Sequence, residues 1–284
     1  MLRPLLLLAL SALPACAADD ALRTQVAALF QQRQWTEAQA LLEKVTATEP
    51  GNAEAWYSLG QVFLARNDAE KAVPALEQAT RLDAAKSDYF LQLGHAYGLS
   101  AQKAGLFAKL GFAKKCKAAY DKAVELDPAS INARWSLMEY CRQAPGIIGG
   151  GMDQAYAQAE AIKQLDARRG RSAYARLYTA DKKYAEAFAL YDEVLREKPD
   201  DGDALFNIGR LAAQSGEQLE RGVTALRKLI TQQGGNNART QTWLGTILEK
   251  QGDKPGAKAA YEAAIELDPK FTQALEALRK LGAG

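Results

Sequence analysis

A glycine-rich stretch, CRQAPGIIGGGMDQ, begins at Cys141 and contains the residue types that most suggest chemistry in this chain. Gly146 and Gly151 have four residues between them, which is the glycine spacing of a phosphate-binding loop. In such a loop, backbone N–H groups hold the phosphate oxygens, and a Lys-Ser or Lys-Thr pair follows the second glycine. Met152 and Asp153 stand at those two positions here. The stretch therefore lacks the side chains that would bind a nucleotide phosphate.

His95 is the single histidine of the chain. One histidine excludes a multi-histidine metal site, so we predict no metal and no cofactor. His95 has no serine or cysteine partner in a recognisable nucleophile motif, and we expect it to form hydrogen bonds on a binding surface rather than to act as a general base. With no catalytic residue to assign, we predict that the protein is not an enzyme.

A lysine-rich segment, SAQKAGLFAKLGFAKKCK, starts at Ser100 and combines basic with apolar residues. A basic amphipathic stretch of this kind can lie on an anionic membrane or dock a partner helix. The alternative is an extended helical hairpin whose apolar side chains cover its own surface while the lysines reach water. Gly105 and Gly111 favour this alternative, because glycine weakens a continuous helix. The residues that would make the membrane or partner contact are Lys103, Phe107, Lys109, Lys114 and Lys115.

The charges of the chain nearly cancel, since 36 basic and 34 acidic residues give a net charge of +2. The hydrophobic share of 48% and the charged share of 25% are typical of a globular protein. Such a balance supplies no global field that would attract nucleic acid, so we expect no nucleic-acid partner.

The first residues, MLRPLLLLALSALPACAAD, have the pattern of a bacterial secretory signal. Arg3 precedes an apolar run from Leu5 to Leu13, which is too short to span a bilayer stably, and small residues follow it. We predict a cleaved signal peptide at residues 1–17 and export of residues 18–284 to the periplasm.

Two processing routes fit this leader. The letters ACA suit cleavage after Ala17, which frees the mature chain. The letters LPAC resemble a lipoprotein box, in which Cys16 is acylated and anchors the chain to the outer membrane. Pro14 departs from the small residue that is usual at its position in that box.

Three segments further along the chain share one helical pattern. They are CKAAYDKAVELDPAS from Cys116, AEAFALYDEVLREKPDD from Ala185 and GAKAAYEAAIELDPKF from Gly256. Each has a small residue, an aromatic residue four positions later and an acidic exit that contains proline. A small residue allows close helix approach, and proline ends the helix. The small residues recur at Ala38, Ala72, Cys116, Ala155, Ala187, Gly222 and Ala257.

A second helical signature precedes each of these segments, and WYSLGQVF from Trp56 shows it most fully. Its Leu-Gly element recurs, with Ile for Leu in one case, as Leu59-Gly60, Leu93-Gly94, Ile208-Gly209 and Leu244-Gly245. The combination resembles the tetratricopeptide repeat, over roughly residues 19 to 271. The repeats are predicted at residues 19–52, 53–86, 87–130, 131–167, 168–201, 202–237 and 238–271, followed by a capping helix at 272–282.

The resemblance implies an all-α fold, a right-handed superhelical solenoid of about seven antiparallel helix pairs with a concave groove. The glycine-rich stretch then falls between the two helices of the fourth pair, so no strand precedes it and the phosphate-loop hypothesis fails on this count too. We expect a lengthened helical hairpin there, with Asp153 capping the second helix. The first helix of each pair lines the groove.

The groove-facing residues are predicted by their offset from the Leu-Gly glycine: three before it, one after it and four after it. The candidate binding residues are Tyr57, Gln61, His95, Trp135, Glu139, Arg142, Arg176, Phe206 and Arg210, and the same rule selects Leu91, Ala213 and Thr242. Arginine presents a planar fork to carboxylates, and aromatic residues supply apolar anchors. The predicted ligand is an acidic or C-terminal peptide segment. The alternative is that the arginines are solvated or paired locally, as with Glu139.

Cys116 and Cys141 fall on packing positions of neighbouring predicted helices. An oxidising compartment would permit a disulfide between them. Two separate buried thiols are the alternative.

The resulting hypothesis is a non-enzymatic scaffold or adaptor of the bacterial cell envelope that binds a segment of another protein in its groove. The alternative is a lipid-anchored structural or pilotin-like assembly factor for an outer-membrane or secretion machine. In that case the lysine-rich segment would contact lipid, and self-association remains open.

Overall fold

A computed structural model describes residues 15–282, with their side chains from Leu22 onward. Within that range the secondary structure consists of fifteen α-helices and one short 3-10 helix, without a β-strand. The predicted all-α class is confirmed. The predicted leader at residues 1–17 lies largely outside the described residues, and so does the side chain of Cys16.

The chain forms two compact bodies. The N-terminal body runs to Gln158 and the C-terminal body begins at Ala159. The N-terminal body contains α1 (Ala15–Gln31), α2 (Trp35–Thr48), α3 (Ala53–Ala65), α4 (Ala69–Leu82), α5 (Ser87–Lys103), α6 (Leu106–Leu126), α7 (Ile131–Gln143), the 3-10 helix (Gly146–Ile148) and the first half of α8 (Met152–Leu165). The C-terminal body contains the rest of α8, then α9 (Ala167–Ala180), α10 (Tyr184–Glu197), α11 (Gly202–Ser215), α12 (Leu219–Ile230), α13 (Ala238–Lys250), α14 (Lys254–Leu267) and α15 (Thr272–Gly282).

The helix ends follow from the sequence. The Asn52 carboxamide oxygen accepts a hydrogen bond from the Ala55 N–H at 3.0 Å at the start of α3. Capping of this kind satisfies donors that the first helical turn leaves free. The same role is played by Asp68, Ser130, Asp166, Asp201, Asn237 and Asp253. The exit prolines Pro50, Pro128, Pro199 and Pro269 each follow a helix that has just ended, as proline cannot continue one.

The glycine of each Leu-Gly element provides the space into which the second helix packs. In the N-terminal body, a Cβ on Gly60 would lie 2.4 Å from Leu76 Cγ, and a Cβ on Gly94 would lie 2.4 Å from Tyr120 Cε1. No side chain larger than hydrogen fits at these distances. The small residues Ala38, Ala72 and Ala155 are fully buried, so the helices approach each other closely.

The C-terminal body repeats this arrangement. A Cβ on Gly209 would lie 2.2 Å from Leu226 Cγ, and Leu226 belongs to a core that also contains Phe188, Ile208 and Tyr261. The last helix, α15, packs Leu278 against this core and buries Ala274. An apolar end of the core is thereby covered, which is the role of a terminal cap in a repeat protein.

No helix among residues 15–282 is long and apolar enough to cross a membrane.

Candidate functional site

The candidate site residues lie on the first helices of the helix pairs. In the N-terminal body these are α3, α5 and α7, and we call the surface that they share the N-terminal A face. In the C-terminal body they are α9, α11 and α13, and their shared surface is called the C-terminal A face. Each face is described within its own body.

Tyr57 and Gln61 form a polar aromatic patch on the N-terminal A face. The Gln61 carboxamide donates a hydrogen bond to the Tyr57 hydroxyl at 3.0 Å. The Tyr57 ring stacks on the ring of Tyr89 from α5, with centroids 4.6 Å apart and planes 25° apart. Burial, and then the Asp88 carboxylate, raise the pKa of Tyr57 to about 12. The hydroxyl therefore stays neutral at physiological pH and can both donate and accept hydrogen bonds.

His95 connects α5 to α7 and α6 within the same body. Its Nε2 lies 3.1 Å from Ser136 Oγ and its Nδ1 lies 3.2 Å from Gln92 Oε1. The ring meets the Tyr120 ring edge-on at a centroid distance of 5.6 Å. Burial lowers the pKa of His95 from its ordinary value of 6.5, so a neutral imidazole is favoured. His95 thus makes hydrogen bonds to neutral groups, one of which is the Ser136 hydroxyl.

Arg142 is paired within α7. Its guanidinium donates to Glu139 Oε2 from both Nε at 3.2 Å and Nη2 at 2.8 Å, and the two side chains are only 21% and 17% exposed. Gln143 donates to the same carboxylate oxygen at 3.2 Å. The sequence left open whether the arginines bind a ligand or are solvated or paired locally. Arg142 is paired locally, because its guanidinium already binds Glu139. Trp135, on the same helix, is half-buried.

Arg210 has different surroundings on the C-terminal A face. Its Nε and Nη2 donate to Asn207 Oδ1 at 3.3 and 3.1 Å, and its Nη1 donates to Gln214 Oε1 at 3.0 Å. The guanidinium also lowers the pKa of the Tyr191 hydroxyl, against the larger raising effect of burial. All of these partners are neutral, and within residues 15–282 no carboxylate forms an ion pair with Arg210. A half-buried guanidinium is therefore held in place with its charge uncompensated.

Arg176 occupies the equivalent position on α9, one helix pair earlier, and is exposed. Its helix contains four arginines and no acidic residue. One of them, Arg168, donates to Asp203 of α11 at 2.6 Å. The helix pair that precedes Arg210 along the chain is therefore rich in arginine.

The predicted offset of three residues before the glycine does not give an exposed residue on every first helix. Tyr57 at this offset stacks on the next first helix, and Leu91 and Thr242 are buried. Phe206 is half-buried and packs against the C-terminal core instead of standing exposed as an anchor. At Tyr57 this offset faces the neighbouring first helix α5. Ala213, four residues after its glycine, is buried as well.

Several residues of these faces were not found from the sequence. Tyr89, Gln92 and Ser136 complete the N-terminal A face, and Asn207, Gln214 and Tyr191 surround Arg210. Asn207 and Gln214 lie three and four residues from Arg210, a spacing at which helical side chains meet, so they could have been found. Tyr191 comes from α10, and no spacing rule brings it to α11.

A groove of about 660 Å³ lies on the other side of α3, towards α2 and α4. It is lined by the signature residues Trp56, Leu59 and Phe63, with Pro74 and the Lys71 side chain opposite them. Trp56, Leu59 and Phe63 recur at helical spacing about halfway around the helix from Tyr57 and Gln61. These signature residues are therefore packing residues of the repeat, and α3 presents two separate surfaces.

The glycine-rich stretch is a compact connection between α7 and α8. A Cβ on Gly150 would lie 1.8 Å from the Ala144 carbonyl oxygen, and the Tyr140 hydroxyl donates to the Ile148 carbonyl at 2.9 Å. The backbone is thus fixed by its own chain. The predicted role of Asp153 as the cap is wrong in position, since α8 begins at Met152 and Asp153 lies inside its first turn. An acidic residue there still interacts favourably with the helix dipole.

Cys116 and Cys141 are free, buried thiols in the structure, which agrees with the second of the two alternatives. The Cys141 thiol lies 3.7 Å from Gln154 Oε1. Burial raises the pKa of Cys116 to about 11. Among residues 15–282 no group of His, Cys, Asp or Glu side chains is arranged to hold a metal ion.

The lysine-rich segment forms the tip of the α5–α6 hairpin. Phe107 is 91% exposed, and the side chains of Lys103, Lys109, Lys114 and Lys115 are exposed as well. The sequence also offered an alternative in which the apolar side chains of this segment pack on the hairpin itself. This alternative is right only for Phe112, whose ring centroid lies 6.4 Å from that of Tyr97 on α5. It is wrong for Phe107.

Comparison with known proteins agrees with this architecture. The tetratricopeptide-repeat family matches residues 23–88 and 173–238 in one form and 238–271 in another, which together make up more than half of the chain. A tetratricopeptide-repeat protein from Parabacteroides merdae ATCC 43184 has a similar structure, with a TM-score of 0.64 at 16% identity over 93% of this chain and 98% of that one. PilW, described as a type IV pilus biogenesis factor, gives a TM-score of 0.50 at 14% identity over 92% and 98%.

Among curated proteins, cellulose synthase operon protein C of Pseudomonas fluorescens strain SBW25 is 32% identical over 95 residues. The match involves 31% of this chain and spans 7% of that protein's length. The chain belongs to the tetratricopeptide-repeat family, whose members bind other proteins. The predicted fold class, an all-α solenoid of this type, is confirmed.

Proposed function

We propose that the protein is a non-enzymatic interaction scaffold that binds an acidic segment of a partner protein on its C-terminal A face. The observation that carries the proposal is the guanidinium of Arg210, which is held by Asn207 and Gln214 and, within the described residues, has no carboxylate partner. A fixed and uncompensated guanidinium is suited to bind a carboxylate, because little side-chain freedom is lost on binding. Arg176 on α9 would extend the contact.

The N-terminal A face would play a different part. The Glu139–Arg142 pair on this face is neutral as a whole, the Asp88 carboxylate acts on Tyr57, and the other polar groups described above are hydroxyl, amide and imidazole. Such a surface offers hydrogen bonds to a peptide without an excess positive charge that would select an acidic one. Selection for acidic ligands is therefore assigned to Arg210 and not to Arg142.

The test is a fluorescence anisotropy titration of the full chain with two labelled peptides. One peptide ends in Asp-Glu-Asp and the other in Asn-Gln-Asn, and each is made with a free carboxylate and with an amide at its C-terminus. We expect the acidic peptide to bind and Arg210→Gln to weaken it by about tenfold or more, the loss typical of a hydrogen bond to a charged group. The amide versions show how much the terminal carboxylate contributes.

Arg196→Gln is the matched control, because it removes the same charge from an exposed position on the second helix α10. The proposal is abandoned if Arg210→Gln and Arg196→Gln have equal effects, or if the acidic and amide-rich peptides bind alike.

We also propose that the scaffold works in the cell envelope, exported to the periplasm and, if Cys16 is acylated, anchored to the outer membrane. The leader pattern of residues 1–17 and the partial match to a cellulose synthase operon protein support this. Fractionation of cells that express the full chain would place it. Recovery of the uncleaved chain in the cytoplasm contradicts the proposal, and release from the membrane by Cys16→Ser would show that the anchor is the acyl chain.

A further inference from the structure

The α5–α6 hairpin extends beyond its neighbours in the N-terminal body. α6 has 21 residues, whereas α4 has 14 and α7 has 13. At a rise of about 1.5 Å per residue, the difference from α4 lengthens α6 by about 10 Å. The last buried residue of α5 is Ala101 and the first of α6 is Cys116. The segment between them is therefore a projecting tip and not part of the core.

Large apolar side chains stand on this tip in contact with solvent. Leu106 is 73% exposed, Phe107 is 91% exposed and Leu110 is 44% exposed. All three belong to the first turns of α6, so they form one patch rather than scattered surface residues. A cluster of this size on a projecting turn is unusual for a surface that meets only water.

Lysines surround the patch, and their charge is largely uncompensated. Lys109 and Lys114 are exposed, and within residues 15–282 their side chains form neither an ion pair nor a hydrogen bond. Lys103 donates only to the backbone carbonyl of Asn67. Lys115 lies 3.9 Å from Glu77. The sequence between Asp88 and Asp121 contains no acidic residue.

The type of cation distinguishes two kinds of partner. Every basic residue between Arg81 and Arg134, apart from His95, is a lysine. Lysine is a flexible point charge that suits phosphate groups at no fixed angle, whereas the planar fork of arginine suits a carboxylate at a defined place. A convex tip with an exposed aromatic residue can enter a lipid headgroup layer without a matching pocket, which a protein partner would have to provide.

We propose that the tip of the α5–α6 hairpin, residues 103–114, docks on an anionic phospholipid surface. Leu106, Phe107 and Leu110 enter the boundary between headgroups and acyl chains, and the lysines meet the lipid phosphates. This second surface is independent of the peptide site on the C-terminal A face. Docking would hold the scaffold against a membrane.

The test is flotation of the full chain with phosphatidylcholine vesicles, with and without phosphatidylglycerol. All proteins carry Cys16→Ser, so that acylation is removed and any effect of residues 1–17 is common to every sample. We expect binding only to the vesicles that contain phosphatidylglycerol. The double variant Lys109→Ala/Lys114→Ala should weaken binding by about thirtyfold, because the loss of each lysine near an anionic surface lowers the affinity about fivefold. Phe107→Asp should also abolish flotation.

Two controls match these variants. Ile147→Asp changes a side chain that is 86% exposed in the loop before α8, outside residues 103–114, and Lys250→Ala with Lys254→Ala removes two exposed lysines from the C-terminal body. Both should float like the parent, and circular dichroism verifies that every variant is folded.

Three results would overturn the proposal. Equal flotation with neutral and anionic vesicles would show that the lysine charges do not contribute to binding. Unchanged flotation of the tip variants would show that the tip is not the binding surface. If the parent fails to float but elutes as a dimer that Phe107→Asp converts to a monomer, the patch belongs to a contact between two copies of the chain.

Discussion

Tyr261 fills the space beside Gly245 so closely that a Cβ on the glycine would lie 2.6 Å from Tyr261 Cε1. The ring cannot move away easily, because its hydroxyl donates to Glu249 at 2.8 Å and Tyr261 is almost fully buried in the C-terminal core. The Leu-Gly element and the aromatic residue of the following helix are thus two halves of one contact. This contact explains physically why the two sequence signatures occur together.

We expect Gly245→Ala to destabilise the C-terminal body. Overpacking of a dense core costs about 1–3 kcal/mol, whereas the gain in helix propensity from glycine to alanine is about 1 kcal/mol. The urea midpoint should therefore fall. Gly111→Ala is the control, since Gly111 lies within α6 and a methyl group added to it would meet no atom within 4 Å, so its midpoint should stay or rise. A midpoint for Gly245→Ala at or above the parent value would show that Tyr261 has room to move.

His95 gives the N-terminal body a defined dependence on pH. Burial lowers its pKa in the folded chain below the ordinary value of 6.5, so the unfolded chain takes up the proton first as the pH falls. The free energy of unfolding then rises with pH between the two pKa values. The folded state therefore has its full stability from the neutral His95 imidazole above pH about 6.5. This contribution to the free energy of unfolding is lost as the pH falls below that value.

Because His95 is the single histidine, its titration can be followed directly by NMR at the imidazole Cε1–H. We expect a midpoint below 6.5, and a smaller loss of stability between pH 7.5 and pH 5.5 in His95→Gln than in the parent. The groups around the ring, Tyr120, Ser136 and Gln92, stay neutral in this range and do not contribute to the difference. A midpoint above 6.5 would show that the imidazole is solvated or faces a carboxylate.

The repeat architecture could be predicted because the residues that pack against each other within a repeat are close in the sequence and recur at regular intervals. Gly60 and Leu76, or Gly94 and Tyr120, meet through one helix hairpin, and each pair occupies fixed places in its repeat. The candidate site could be predicted only in part. Whether an arginine pairs locally depends on its neighbours at three and four residues and on its rotamer, so Arg142 meets Glu139 whereas Arg210 meets Asn207.

Other features depend on contacts between elements that the sequence does not specify. The rule that selected groove residues by their offset from the glycine assumed that every first helix exposes the same side to solvent. Thr242 on α13 is buried instead. It lies one helical turn from Ala238, which packs with Ala274 of α15. The lysine-rich segment at the tip of the α5–α6 hairpin was open to two interpretations, a membrane or partner contact and a hairpin that covers its own apolar surface, because its sequence does not say which apolar side chains meet α5. Only the position of α5 decides that Phe112 faces inwards.

The ion pair of Glu139 and Arg142 should stabilise α7 only as a pair. The two side chains are largely shielded from water, so removal of one leaves a poorly solvated charge and costs about 1–3 kcal/mol. We expect Glu139→Gln and Arg142→Gln each to speed hydrogen exchange of residues 131–143, and the double variant to exchange more slowly than the two single effects would predict together. Strictly additive effects would mean that the pair is solvated. Arg142→Gln should leave the affinity for the acidic peptide unchanged.

We expect the buried thiols to react slowly with thiol reagents. With the pKa of Cys116 raised to about 11 by burial, roughly one thiol in a thousand is a thiolate at pH 8, and the thiolate is the reactive form. In a chain with Cys16→Ser and Cys141→Ser, we expect the reaction of Cys116 with Ellman's reagent to be at least tenfold slower in buffer than in urea. In a chain with Cys16→Ser and with Cys116 and Cys141 both present, unfolding without reductant should release two free thiols. A chain lighter by two hydrogens, with no thiol released by urea, would instead establish a disulfide between Cys116 and Cys141.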